Sequence, residues 1–247
     1  MKKHIFFFCG ILLAGIPFSS CKKESSEPAK AKISFEFDFN VAGDELKLGQ
    51  AYQINGTTVS FDAVNFYMGG IQLTQENGQV IDLSDQYLLG GIGNTATLNS
   101  DLDVSDINSM KFFVGVDPVT NAQEEIDFTS RPPTDPLGIQ DPSMHWSWST
   151  GYKFLRVDGD VDLDGDGILE TGVAYHLGSD AMLKQFDLTN PIELRSGDND
   201  LIISFDLTKF FTGVDLKAEL DTHTGNNLPL AERLRDNLAI AIEVYRN

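Results

Sequence analysis

The chain of 247 residues carries 37 acidic and 18 basic side chains, so its formal net charge at pH 7 is −19. This acidity excludes nucleic acid as a partner and disfavours peripheral binding to an anionic membrane surface. The length suits one domain built around one hydrophobic core.

The N-terminal segment predicts export from the cytoplasm. Two lysines precede an apolar run, residues 5–16, which is too short to span a bilayer stably, so we expect residues 1–20 to be a signal peptide. The small residues before Cys21 resemble the lipobox of bacterial lipoproteins, in which the cysteine is acylated; a soluble secreted protein is the alternative. Cleavage would also remove Cys9, so the exported domain would have neither a free thiol nor a disulfide.

The mature protein would then carry 16 basic and 37 acidic side chains, a net charge of −21. Residues 21–31 are polar and lack periodicity, which predicts a flexible tether between the lipid and a domain spanning residues 32–247. We therefore expect an outer-membrane lipoprotein of the cell envelope, attached through its lipid and facing either the periplasm or the cell surface.

The first part of the domain has the pattern of short β-strands. Apolar and polar residues alternate strictly from Ile33 to Phe39, as in a half-buried strand. Segments 57–61 and 65–68 continue this β-rich composition. Gly69-Gly70 predicts a bulge or a close backbone approach, and residues 76–78 predict a hairpin turn.

The middle of the chain combines a central strand with a long connection. Residues 110–116 are apolar on both faces, which predicts a strand inside a sheet. The following region, 117–143, is rich in proline and glycine, so we expect no regular structure there. Because loops of this length in compact domains are usually functional, it draws attention to the segment that follows.

The C-terminal part returns to strands. Alternation over 201–206 predicts a strand, Asp206 can cap a single helical turn, residues 229–235 form the best helix candidate, and 240–244 predict a last strand. Many short strands and almost no helix indicate an all-β fold, an antiparallel immunoglobulin-like β-sandwich with one or two short helices.

The segment from Met144 to Gly178 concentrates the residues with metal chemistry. It contains both tryptophans, Trp146 and Trp148, and the histidines His145 and His176. In an extended chain the two tryptophans share one face and His145 takes the other. Imidazole suits copper and zinc, and a thioether favours Cu(I). Without thiols, a soft-metal site must use histidine, methionine and an aromatic ring; the structural alternative is that the tryptophans are core or loop anchors.

These residues also resemble a known family. The order Met144-x-Trp146-x-Trp148-x-x-Gly151-Tyr152-x-Phe154, followed by Tyr175-His176-Leu177-Gly178, is similar to the signature of the MbnP-like copper-binding family. Segments 35–37, 65–67, 114–117 and 205–211 agree with it, so the resemblance covers roughly residues 32–245.

The resemblance implies a periplasmic or surface β-sandwich that binds copper through histidine nitrogens near a tryptophan. In some relatives a partner haem enzyme, a di-haem peroxidase, oxidises that tryptophan to kynurenine. His176 matches the downstream histidine of the family, and Trp146 or Trp148 matches its tryptophan. We expect Cu(I) to be bound by His176 and His145, with Met144 nearby; His223 is a less favoured third candidate.

The acidic stretch between these motifs resembles the start of a calcium loop. Asp160, Asp162, Asp164 and Asp166 place carboxylates at alternate positions, and glycine follows Asp166. Counted from Asp162, the twelfth position holds Val173, so the bidentate glutamate that closes such loops is absent. The stretch predicts either a weak calcium site or a solvated acidic hairpin.

Catalysis is not expected, because the sequence contains no nucleophile motif, phosphate-binding glycine loop or zinc-hydrolase histidine pair. The favoured function is a lipid-anchored copper-binding protein that sequesters or delivers the metal. The alternative is a cell-envelope β-sandwich that acts as an interaction module, stabilised by calcium, and binds protein or glycan.

Overall fold

The computed structural model describes residues 30–98, 102–103, 106–147 and 151–246. The predicted signal peptide, the lipidation site Cys21, most of the tether and Trp148 lie outside the described residues. Within the part that is described, no helix is both long and apolar enough to cross a membrane.

The described residues form seventeen strands. In chain order they are β1 Lys30–Val41, β2 Asp44–Glu45, β3 Tyr52–Ile54, β4 Thr57–Gln75, β5 Val80–Leu83, β6 Leu88–Gly91, β7 Thr95–Thr97, β8 Leu102–Asp103, β9 Ile107–Val114, β10 His145–Ser147, β11 Gly151–Tyr152, β12 Leu155–Val161, β13 Thr171–Leu177, β14 Lys184–Leu188, β15 Gly197–Asp206, β16 Asp221–Thr222 and β17 Ile242–Arg246.

Helices are few and mostly short: α1 Pro118–Asn121, α2 Glu125–Thr129, α3 Leu207–Phe210, α4 Leu228–Ala241, and one 3-10 turn at Asp180–Met182. The predicted turn after Asp206 and the late helix are confirmed as α3 and α4. The expectation that region 117–143 lacks regular structure was wrong in its first half, where Asp117 and Glu124 cap two helices and Pro118 takes the first position of α1. Asp117 caps α1 by accepting from the backbone N–H groups of Val119 and Thr120.

Two sheets build the domain, as the predicted β-sandwich requires. The smaller has the order β17-β15-β1-β2, with β7 and β8 also pairing β1, and the larger has the order β14-β9-β4-β12-β13-β16, with β3, β5 and β6 also pairing β4. Strands β10 and β11 form a separate hairpin. The all-β sandwich is confirmed, but the sheets are mixed: β1 runs parallel to β15, and β13 runs parallel to β16.

The 19-residue strand β4 organises the larger sheet. Its first half pairs with β12 and its second half with β9, and Tyr67 lies at the junction, donating to the carbonyl of Phe154 and accepting from the N–H of Gly115. The register shifts after Gly69, which confirms the predicted bulge. A side chain at Gly70 would meet the Phe113 ring at 2.3 Å, and its φ of 63° also favours glycine.

The core lies between the sheets and is rich in phenylalanine. Phe66 of β4 packs edge to face against Phe37 and Phe39 of β1 and Phe205 of β15, with ring centroids 5.6, 6.0 and 5.8 Å away. Such pairs contribute beyond the area that they bury. Helix α4 adds Leu230, Leu234 and Leu238 to this core.

Candidate metal centre

His176 lies near the end of β13, on the face opposite that of Tyr175 and Leu177. Its neighbours Tyr175 and Leu177 are buried in the core, while the His176 side chain faces the hairpin β10–β11. His176 is nevertheless only 7% exposed, because side chains from three other segments cover it. Burial lowers the pKa of His176 below its ordinary value, although the nearby carboxylate of Asp158 acts in the opposite direction. The ring is therefore held as a neutral imidazole, the form that binds metals.

His223 is the histidine that lies beside His176. Strand β16 pairs in parallel with β13, with Tyr175 opposite Thr222. The residues that follow these two are His176 and His223, so their imidazoles lie side by side. Their Nδ1 atoms are 3.1 Å apart and their ring centroids are 4.9 Å apart. His223 is exposed while His176 is buried, so the pair opens to solvent on the His223 side.

The turn that carries His223 is fastened to β13 by the buried Thr224. Its hydroxyl donates to the carbonyl oxygen of His176 at 3.2 Å and accepts from the N–H of Gly178 at 2.9 Å. The N–H of His223 also donates to the side-chain oxygen of Asn226 at 2.6 Å. These bonds fix the backbone on both sides of the pair, so the separation of the two rings depends mainly on side-chain rotation.

Asp158 of β12 sets the tautomer of His176. Its Oδ1 lies 2.6 Å from His176 Nε2, and its Oδ2 accepts a short hydrogen bond from Arg156 Nε. Burial alone would raise the pKa of Asp158, but the bonds from His176 and Arg156 hold that pKa below its ordinary value. An ionised carboxylate can only accept, so His176 carries its proton on Nε2 and presents a lone pair on Nδ1.

Trp146 covers both imidazoles from the hairpin β10–β11. Its ring centroid is 5.7 Å from each of His176 and His223, with interplanar angles of 60° and 87°. Gly178 permits this approach, because a Cβ there would lie 2.5 Å from Trp146 Nε1 and 2.5 Å from the carbonyl oxygen of Tyr152. Lys153 Nζ stands 5.3 Å from the Trp146 ring centroid, on an adjacent part of the same site.

Two other predicted ligands lie elsewhere. The ring of His145 packs against Phe128 and Tyr152, at centroid distances of 4.3 and 5.1 Å, because alternation along β10 turns it away from the face of Trp146. Met144 is 2% exposed and belongs to the hydrophobic core. His145 therefore does not take the expected place beside His176, and His223 does.

The acidic loop between β12 and β13 brings three of its four predicted carboxylates together. Oxygens of Asp162, Asp164 and Asp166 lie within 4.8 Å of one another, the one such group of three among the described His, Cys and acidic residues. Asp160 lies in β12 and is not part of this group. The loop already uses these oxygens internally: Asp162 accepts from Gly165 N and Gly167 N at 2.6 and 3.0 Å.

The sequence undervalued His223 and gave no role to Asp158. Both reach His176 only through strand pairing across long stretches of chain, 47 and 18 residues respectively. One local signal was present. Asp158 and His176 lie on the two arms of a predicted hairpin at even-numbered positions, so alternation places both side chains on the same face. No comparable signal marks His223, since a two-residue parallel strand leaves almost no periodic pattern.

Comparison with known proteins identifies the family and the fold. The family model described as MbnP matches residues 30–227. The solved structure of MbnP from Methylosinus trichosporium is similar in fold, with a TM-score of 0.56 and 14% sequence identity, covering 83% of this chain and 87% of that one. No curated protein matches the sequence. Since the family match spans most of the chain, the protein belongs to the MbnP family.

Proposed function

We propose that the protein is a lipid-anchored copper-binding protein of the cell envelope, and that His176 and His223 hold the metal beside Trp146. The observation that carries this proposal is the pair of facing Nδ1 atoms, 3.1 Å apart, beside an indole ring that contacts both imidazoles. Without metal the two nitrogens are within hydrogen-bonding distance, and a metal ion would take the place of the proton between them.

The donor set fits Cu(I) better than other common metals. Imidazole nitrogen is a ligand for copper and zinc, but zinc sites in proteins nearly always use three or four protein ligands. Among the described residues, no third His, Cys or acidic side chain joins His176 and His223 in a group of three. Two neutral imidazoles next to a polarisable ring suit a soft monovalent ion, which accepts a low coordination number.

Exposure of the pair suggests a carrier that sequesters or delivers copper, with no catalytic step. His176 is buried and held by Asp158, whereas His223 is exposed on a turn, so the metal could be exchanged from the His223 side without unfolding the domain. The backbone around the turn is fixed by Thr224, so exchange would require rotation of one exposed side chain.

Titration of the purified domain with Cu(I) against a competing chelator tests the proposal. Replacement of a hydrogen-bond partner of a metal ligand already costs about 10- to 100-fold in affinity, so His176→Ala and His223→Ala should each weaken binding by at least about 100-fold. His145→Ala is the matched control, because its ring lies against Phe128, and its affinity should stay close to wild type. Wild-type affinity in His176→Ala and His223→Ala would reject the site.

Oxidation of Trp146 by a partner di-haem peroxidase is a further part of the proposal, supported by family membership and by the position of the ring against both histidines. Conversion of tryptophan to kynurenine adds one oxygen atom and removes one carbon atom. Peptide mass spectrometry of protein from its native host should therefore find this change on Trp146 and not on Trp148. An unmodified Trp146 in cells that contain such a peroxidase would contradict it.

A second candidate, an interaction module that binds protein or glycan, is favoured by a separate groove. The groove has a volume of about 570 Å³ and is lined mainly by polar residues, among them Tyr87, Asn94, Thr95 and Gln140. Its lining includes neither His176 nor His223. This candidate would be favoured if wild-type protein bound Cu(I) no more tightly than the His176→Ala variant does, and if both bound the same protein or glycan ligand.

A further inference from the structure

Three charged side chains surround His176, and their sum is positive. Asp158 and Lys153 both act electrostatically on its imidazole, and Arg156 is ion-paired with Asp158. Because Arg156 offsets Asp158, the charge of Lys153 remains. These three side chains thus sum to +1, on a molecule whose net charge is −19.

Lys153 is held at the site by its own contacts. Its backbone N–H donates to the carbonyl oxygen of Met144 at 2.9 Å, and its Nζ donates to the carbonyl oxygen of Ser143 at 3.0 Å. The ammonium lies over Trp146, 5.3 Å from the ring centroid. A carbonyl and an aromatic face satisfy the ammonium without neutralising it, unlike the carboxylate that accepts from Arg156.

We propose that Lys153 is a specificity-determining residue that makes the pair of His176 and His223 select a monovalent ion over a divalent one. This inference rests on the proposed function, since it assumes that the pair binds metal. A fixed positive charge repels a dication twice as strongly as a monocation at the same position. Two neutral imidazoles contribute no negative charge of their own, so the ammonium decides the electrostatic preference.

Selection against divalent ions matters here because the whole molecule is strongly acidic. An acidic surface raises the local concentration of all cations, and of divalent ones most. Asp221 lies two residues before His223, accepts a hydrogen bond from Asn226 Nδ2, and adds a negative charge on the His223 side of the site. Without Lys153, the site would stand in a field that favours Zn²⁺ and Cu²⁺ over Cu⁺.

Two redox-silent ions test the inference directly: Ag⁺ as the monovalent probe and Zn²⁺ as the divalent probe. Their affinities are measured by competition for the wild-type domain and for Lys153→Met, which keeps the aliphatic stem over Trp146. Removal of the Lys153 charge from beside the histidine pair should raise the ratio of Zn²⁺ to Ag⁺ affinity roughly tenfold. Lys153→Arg retains the charge and should keep the wild-type ratio.

Lys209→Met is the matched control, because Lys209 lies in α3 and is ion-paired with Glu243 at 2.8 Å. It removes the same charge from the molecule and should leave the ratio unchanged. An unchanged ratio in Lys153→Met, or an equal change in Lys209→Met, overturns the inference. If Ag⁺ binding depends on His176 and His223 but the ratio does not depend on Lys153, only this inference fails. If wild-type protein does not bind Ag⁺, the copper proposal fails with it.

Discussion

At the scale of single residues, the site depends on which nitrogen of His176 carries the proton. Asp158 accepts from Nε2 and thereby leaves Nδ1 to face His223. The types of most of these residues could be foreseen from the sequence, since His176 and Trp146 stand in a recognisable motif. The choice of His223 over His145 could not, because it follows from the strand pairing of β16 and not from spacing along the chain.

Asp117 provides a residue-level prediction about pH. Its Oδ1 accepts from the N–H groups of Val119 and Thr120, and its Oδ2 accepts from Tyr87 Oη. Burial would raise the pKa of Asp117, but these hydrogen bonds hold it below its ordinary value. Because the folded-state pKa is below the unfolded one, this stabilisation is present above about pH 4 and is lost as the pH falls through the folded-state pKa.

The variant Asp117→Asn keeps an amide that can cap α1 but loses the charge. We expect it to lower the free energy of unfolding by about 1 kcal/mol at pH 7. The deficit should shrink as the pH is lowered below about 4, because the carboxyl of Asp117 is then protonated in the unfolded chain while it is still ionised in the folded protein. Urea denaturation from pH 7 to pH 3 measures this. A deficit that is the same at every pH would show that the charge of Asp117 contributes nothing.

At the scale of elements, strands β12, β13 and β16 bring the site together, while the hairpin β10–β11 covers it. The sequence predicted which strand faces are apolar, and the structure agrees: the alternation of β1 and the bulge of β4 are both present. It could not predict that β1 and β15 run parallel, because a periodic pattern carries no information on strand direction. Helices α1 and α2 were missed because prolines later in the same region dominated the composition.

The calcium loop between β12 and β13 stays a prediction at this scale. Asp162, Asp164 and Asp166 have the spacing expected from the sequence, but the loop satisfies its own carboxylates with backbone N–H groups. If the loop binds Ca²⁺ weakly, 10 mM Ca²⁺ should raise the melting temperature by about 3 °C, as expected for a millimolar dissociation constant. The same concentration of Mg²⁺ is the control for ionic strength.

Asp164→Asn removes one exposed carboxylate of this group and should abolish the response to calcium. If wild-type protein melts at the same temperature with Ca²⁺ as with Mg²⁺, the acidic hairpin is only a solvated turn. Copper affinity should be equal in the presence and absence of Ca²⁺, because the carboxylate cluster and the histidine pair share no residue.

At the scale of the whole molecule, the acidity of the domain bears on the proposed membrane attachment. Lipidation of Cys21 would hold an acidic domain at a surface to which it would not otherwise bind. Cys21→Ser should therefore move the protein from the membrane fraction to the soluble fraction, with its copper affinity unchanged. Cell fractionation with immunodetection, together with intact mass, checks this. A membrane-bound Cys21→Ser protein would mean that another contact holds it there.

The pairing of β1 with β15 also constrains how the protein reaches its folded state. β1 is an inner strand of its sheet, and its residues Ala31–Asn40 pair with Gly197–Asp206, more than 160 positions later in the chain. A chain that leaves the cytoplasm amino end first must expose this hydrophobic strand until nearly all the rest has been translocated. If the chain is exported and lipidated as proposed, periplasmic chaperones should find their binding site next to the acyl chain, and premature stop codons before residue 197 should yield proteins that aggregate at the membrane.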